Sequence, residues 1–224
     1  MEMDLQEQLK DMKTQFRLAM NGTVSKSMRE KGLDYKLNFG VELPRLREIA
    51  TRYPKNHQLA QALWKENVRE SKILAAMLQP VESFIPELAD IWVEDMCYPE
   101  IAELTCMNLF QYLPYASQKG FEWIADERPY FQACGYLILA RLFSKGMILN
   151  ERSENEYLDQ VVAAVQSPAS FQQRAAYTSV LKYMHQGKEQ GKKALKAFSV
   201  LKTSDQPEWK ALYEEIKAEA EEVF

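Results

Sequence analysis

"FGVELPRLREIA", residues 39–50, decides how this chain is read. Pro44 suits the first turn of a helix, because its φ is already helical and its missing N–H is one the first turn leaves unpaired. Around it Leu43, Leu46, Ile49 and Ala50 recur at helical spacing and predict one buried face. Gly40, just before the helix, permits a close backbone approach that a Cβ would obstruct. "LWKENVRESKILAAML" (63–78) continues the pattern, with Leu63, Trp64, Ile73, Leu74 and Met77 as an apolar stripe.

The same periodicity runs outward in both directions, and strand signals are almost absent. Helices are expected near 3–20, 43–53, 56–66, 68–79, 83–95, 99–112, 115–125, 129–144, 153–166, 168–185, 188–202 and 206–223. Asn56, Pro99, Ser153, Pro168 and Pro207 mark several starts. Asn21-Gly22 reads as part of a Ser/Thr-rich link after the first helix. Links of about two to six residues predict antiparallel neighbours. Helix pairs recur roughly every 35–40 residues, the period of a HEAT-like array. The expected fold is therefore all-α, an α-solenoid of antiparallel HEAT-like helix pairs, forming a single domain over 1–224. An irregular helical bundle is the competing reading, since the pairs share no evident sequence identity.

Hydrophobic residues make up 46% of 224, enough for a packed core without disulfides. Cys97, Cys106 and Cys134 are odd in number, lie in apolar-looking surroundings, and read as reduced and structural. "MEMDLQEQ" lacks the features of a signal peptide, and no apolar run approaches the ~20 residues of a membrane span. A cytoplasmic protein, acting as a monomer and without membrane contact, is expected. The net charge of −4 excludes a generic polyanion binder, but the charge is uneven. Residues 12–55 carry ten basic and four acidic side chains, a local net of +6. In "KEQGKKALKAF" (188–198), Lys188, Lys192 and Lys196 form a stripe, while Ala194, Leu195, Ala197 and Phe198 face away from it.

Between these basic regions lies an acidic one. Residues 73–118 hold seven carboxylates (Glu82, Glu87, Asp90, Glu94, Asp95, Glu100 and Glu103) and no Lys or Arg. "YPEIAEL" (98–104) opens a helix there, with Glu100 and Glu103 one turn apart. The pair suits general acid/base work, or else complements the helix dipole as carboxylates near an N-terminus do. Two distant histidines and no Cys-x-x-Cys argue against a metal site. Gly-x-Ser-x-Gly and phosphate-cradling glycine loops are absent, and no cofactor is implied.

The Gly-Val-x-x-Pro-x-Leu-Arg pattern of 40–47, followed by Leu63-Trp64 and Arg69-Glu70, resembles the bacterial AlkD-like DNA alkylation repair proteins. The match is specific over 39–78 and looser to about residue 200. The resemblance implies a HEAT-like solenoid holding duplex DNA on a concave basic face. Active members excise alkylated purines with an aspartate that stabilises the sugar cation, helped by tryptophans and an arginine. It also implies that Glu70 is buried and structural, with helix-end amides or Arg47 as candidate partners.

Registered on that pattern, Pro99 stands at a tryptophan and Glu103 at the catalytic aspartate; a shift by one puts Ala102 there. Ala133 or Gln132 replaces the arginine, and Thr178, beside Tyr177, replaces the second tryptophan. The catalytic candidates are Glu103 and, behind it, Glu100. Tyr98 and Tyr177 are the aromatic candidates for the lesion side. Arg45, Arg174, Lys188, Lys192 and Lys196 are candidates for the DNA backbone. The resulting expectation is an AlkD-like DNA-binding protein with weak or no glycosylase activity. The alternative is a HEAT-like scaffold that binds a protein through its acidic middle.

Overall fold

The apolar periodicity is realised as helices throughout. The computed structural model describes residues 3–168 and 170–223, which form thirteen α-helices and no β-strand. The fold is all-α, of antiparallel HEAT-like helix pairs. Among the described residues, extended pairing is limited to one isolated bridge, Leu37 with Val68. Two compact units divide the chain, Met1–Leu113 and Pro114–Phe224.

The first unit contains α1 (Leu5–Leu18), α2 (Gly22–Glu30), α3 (Leu43–Ala50), α4 (His57–Trp64), α5 (Arg69–Leu78), α6 (Pro86–Glu94) and α7 (Pro99–Asn108). Helix α5 is its centre: α3, α4 and α7 all pack on it, and nearly every α5 side chain is buried. Trp64 of α4 stacks on Trp92 of α6 at 3.9 Å between ring centroids. Asp4 and Glu7 form a capping box on α1, and Asn56 caps α4 by accepting from the Leu59 N–H at 2.9 Å.

The second unit contains α8 (Ala116–Ile124), α9 (Pro129–Ser144), α10 (Glu151–Val165), α11 (Phe171–Met184), α12 (Lys188–Lys202) and α13 (Pro207–Val223). Helix α11 packs on α9, α10, α12 and α13 around a core of Tyr136, Phe143, Tyr157, Tyr183 and Phe198. Glu154, buried there, accepts from the Tyr183 hydroxyl at 2.8 Å and from Lys193 Nζ at 2.6 Å. A buried carboxylate without such partners would be strongly disfavoured.

Three expectations are corrected. Residues 22–30 are helix α2 rather than a link, because Asn21 is an N-cap: its side-chain oxygen accepts from the Val24 N–H at 3.1 Å. Helix α10 begins before Ser153, where Asn150 caps it and Ser153 donates its amide at 3.0 Å. Helix α11 begins after Pro168, where Ser170 accepts from the Gln173 N–H at 3.2 Å. In each case a short polar side chain that satisfies an orphan amide outweighed the cue chosen from sequence. Cys106 and Cys134 are buried, whereas Cys97 is exposed.

Removing the α2 cap tests its role. Asn21→Ala should cost about 1 kcal/mol, seen as a lower urea midpoint at unchanged slope. An unchanged midpoint would mean that α2 is held by its packing alone.

Candidate functional site

The start of α7 is best understood from Gly40. Its φ of +67° is one that glycine adopts without strain, and an added Cβ would lie 2.3 Å from the Asn21 carbonyl oxygen. This turn aims the Phe39 and Val41 amides at α5, where both donate to the Glu70 carboxylate at 3.2 Å. Glu70 is completely buried. Its counter-ion is Arg69, which donates to Glu70 at 3.1 Å and to the Val41 carbonyl oxygen at 2.9 Å. Of the partners considered from sequence, helix-end amides or Arg47, Arg47 is exposed.

The same guanidinium holds Glu100 in a two-pronged clasp, Nε to Oε2 at 2.8 Å and Nη2 to Oε1 at 2.6 Å. Such forked pairs fix orientation as well as charge. Burial pulls the Arg69 pKa down, but hydrogen bonds and charge from Glu100 and Glu70 outweigh it, so the net shift is upward. Glu100 thus ties α7 to α5. Glu103, one turn on, is exposed on α7. Tyr98, the N-cap residue, is half-buried; its hydroxyl accepts from the Asp34 N–H at 2.9 Å and its ring lies 4.3 Å from that of Tyr35. The acidic run also draws a base from outside itself, since Lys72 donates to Asp95 at 2.5 Å.

Of the ten basic residues in 12–55, four are paired with carboxylates: Lys13 with Glu66, Lys26 with Glu30, and Arg45 and Arg52 with Glu48. The two arginines lower the Glu48 pKa, chiefly through their hydrogen bonds. Arg17, Arg29, Lys31, Lys36, Arg47 and Lys55 are exposed and make no ion pair among the described residues.

In the second unit, Arg174, Tyr177 and Thr178 of α11 share an open pocket of about 340 Å³ with Leu212 and Glu215 of α13. Desolvation, and then the charges of Glu215 and Glu219, raise the Tyr177 pKa. Arg174 is exposed without an ion pair. Lys188, Lys192 and Lys196 are exposed on α12, above buried Ala194, Phe198 and Leu201. Lys192 lies 3.6 Å from Glu189, and Lys196 borders a cleft containing Glu154 and Asp159.

Sequence reasoning missed Arg69 as the hub. The available signal was two adjacent charges opening an otherwise apolar helix, which only a buried network accommodates. No cluster of three or more His, Cys, Asp or Glu side chains able to hold a metal ion occurs among the described residues. Among them, no helix is long and apolar enough to cross a membrane.

This helical architecture, with a buried Arg–Glu network joining successive pairs, is that of a HEAT-like repeat protein. Residues 12–175 match the family model described as DNA alkylation repair enzyme, and the chain belongs to that family. The structure is similar to that of a solved protein from a new family related to the HEAT-like repeat DNA glycosylases, with affinity for branched DNA structures. The TM-score is 0.75 at 14% identity, over 88% of this chain and 83% of that one. No curated protein sequence matches the chain.

Proposed function

We propose that the protein is a DNA-binding member of this family that grips duplex DNA through exposed lysines and arginines, with alkylpurine glycosylase activity weak or absent. The proposed working form is a cytoplasmic monomer in which 1–224 acts as a single domain. The observation that carries this reading is the state of the α7 carboxylates. Loss of a cationic alkylated purine already has a good leaving group, so the protein must mainly stabilise the sugar cation electrostatically. Glu100 is clasped by Arg69, and Glu103, which the register places at the catalytic aspartate, is exposed on the same helix. A glutamate is one methylene longer than an aspartate, and a displacement of about 1 Å can cost ~100-fold in rate. Tyr98 is already engaged, since its hydroxyl accepts from the Asp34 N–H and its ring packs on Tyr35, and Tyr177 lies beside the Glu215 carboxylate in its pocket. Unpaired Arg17, Arg29, Lys31 and Arg174 support the DNA-binding half of the reading.

The test is release of methylated purines from alkylated duplex DNA, comparing wild type with Glu103→Gln and Glu100→Gln. Release should be absent, or roughly 100-fold below that of an active relative, and any residue of it should vanish in Glu103→Gln. Robust wild-type release would overturn the demotion. Loss in Glu100→Gln with melting temperature unchanged, but not in Glu103→Gln, would move the catalytic role to Glu100. A parallel binding assay on plain duplex and a four-way junction separates binding from chemistry.

A further inference from the structure

The first unit contains a second site-like feature that shares only Tyr98 with the candidates of the DNA reading. A cleft of about 680 Å³ opens between α4 and α6, bordered by the loop leading into α7. This is within the range of small-molecule sites, roughly 300–1,000 Å³. Its apolar walls are Trp64, Leu88, Ile91, Trp92, Met96 and Ile101. Ile91 is exposed at the rim.

Two polar atoms of the lining are unmatched. Trp64 and Tyr35 are only 4% and 5% exposed, yet the Trp64 Nε1–H and the Tyr35 hydroxyl have no hydrogen-bond partner. The neighbouring Trp92 is satisfied, since its Nε1–H reaches Gln61 Oε1 at 3.4 Å. A buried donor left unpaired forfeits its hydration without compensation, and here two residues carrying such groups line one cleft. An indole N–H can only donate, so whatever satisfies Trp64 must be an acceptor. The Tyr35 pKa is pushed up, first by desolvation and then by the Glu100 charge, so its hydroxyl is also a donor at neutral pH.

The charge of the lining points the same way. Lys65 and Lys72 outnumber Asp95 among the charged residues there. The Lys72 ammonium is held in place by the Trp64 carbonyl oxygen at 3.0 Å and by Asp95, and it sits 4.5 Å over the Trp64 ring. One face of Trp64 is thus occupied by Lys72, and its ring is stacked on Trp92. The cleft is therefore unsuited to intercalating a flat ring against Trp64. It suits a chain-like apolar body lying along Leu88, Ile91 and Ile101.

We propose that this cleft binds a small molecule with an apolar body and an anionic, hydrogen-bond-accepting head of the carboxylate type. The head receives the Trp64 Nε1–H and the Tyr35 hydroxyl near the Lys72 ammonium. The body replaces water against the aliphatic wall.

Octanoate serves as the probe and octylammonium, of equal length and opposite charge, as its control. Cys97 lines the cleft and is exposed, while Cys106 and Cys134 are buried, so alkylation of the native protein with N-ethylmaleimide reports on this cleft. Octanoate should bind saturably by calorimetry and slow Cys97 alkylation, and octylammonium should do neither. Trp64→Phe and Tyr35→Phe should each weaken octanoate binding about tenfold, the effect of one lost hydrogen bond to a charged group. Tyr35→Phe deletes one oxygen and keeps the ring beside Tyr98, so it decides the question should Trp64→Phe perturb the fold. Absence of saturable octanoate binding, equal binding of octylammonium, or full affinity in Tyr35→Phe would each overturn the proposal.

Discussion

Replacing Arg69 with methionine should destabilise the protein by about 3–5 kcal/mol, the cost of leaving a buried charge without its partner. The volume is nearly kept, so cavity formation contributes little. What is lost is the cation that neutralises Glu70, a carboxylate with no solvent exposure, and that clasps Glu100 on the next helix pair. The Val41 carbonyl oxygen loses its donor as well. The Phe39 and Val41 amides still reach Glu70, but amides do not neutralise a full charge in a medium of low polarity. A double variant separates charge from packing. In Arg69→Met/Glu70→Gln neither buried charge remains, and stability should recover by 1 kcal/mol or more relative to Arg69→Met alone, since removing both partners is far milder than removing one. Urea denaturation followed by far-ultraviolet circular dichroism gives all three midpoints. Additive losses in the double variant would show that Arg69 and Glu70 act independently, against the geometry.

The same network shows what was legible in the sequence. Helix positions and the HEAT-like class followed from apolar spacing, because stacked amphipathic helices must repeat that pattern. The role of Gly40 was legible in outline, since a lone glycine before a proline-initiated helix announces a close approach. The body it approaches, α2, was missed, because the residues around Asn21-Gly22 read locally as a Ser/Thr-rich link and the capping is evident only once Val24 is seen to donate. For Glu70 the sequence offers helix-end amides or Arg47 as partners; two backbone amides do reach it, and Arg69 was missed for a related reason. Adjacent residues on a helix do not normally face each other, and only the turn at 39–41 lets both side chains be used at once. Glu100 illustrates the limit for the site. Its helix was predicted, but a carboxylate clasped by a distant arginine and one open to solvent look alike in sequence.

DNA affinity should fall steeply with salt, by about 10³-fold between 50 and 200 mM if six phosphates are neutralised. The expectation follows from which bases are unspent. Arg45 and Arg52 already share Glu48, and a phosphate must displace that carboxylate to use them. Arg17, Arg29, Lys31, Lys36, Arg47 and Lys55 carry no such competition among the described residues, and neither does Arg174 or Lys196. Lys192 has a weak exposed partner in Glu189 at 3.6 Å, of a kind worth little in water. The double charge reversal Lys192→Glu/Lys196→Glu should therefore weaken binding to every sequence alike and reduce the magnitude of the log–log salt slope by about 2. The α11 pocket supplies an opposite test. Glu215 stands beside Arg174 and Tyr177, where its charge opposes a phosphate approaching Arg174. Glu215→Gln should accordingly tighten binding several-fold at low salt and lose that advantage as salt screens the charge. Fluorescence anisotropy on a labelled duplex measures all of these across a salt series. An unchanged slope in Lys192→Glu/Lys196→Glu would remove α12 from the interface. Undetectable binding of the wild type at 50 mM salt would remove DNA altogether and favour a protein partner for the acidic surface of residues 82–103.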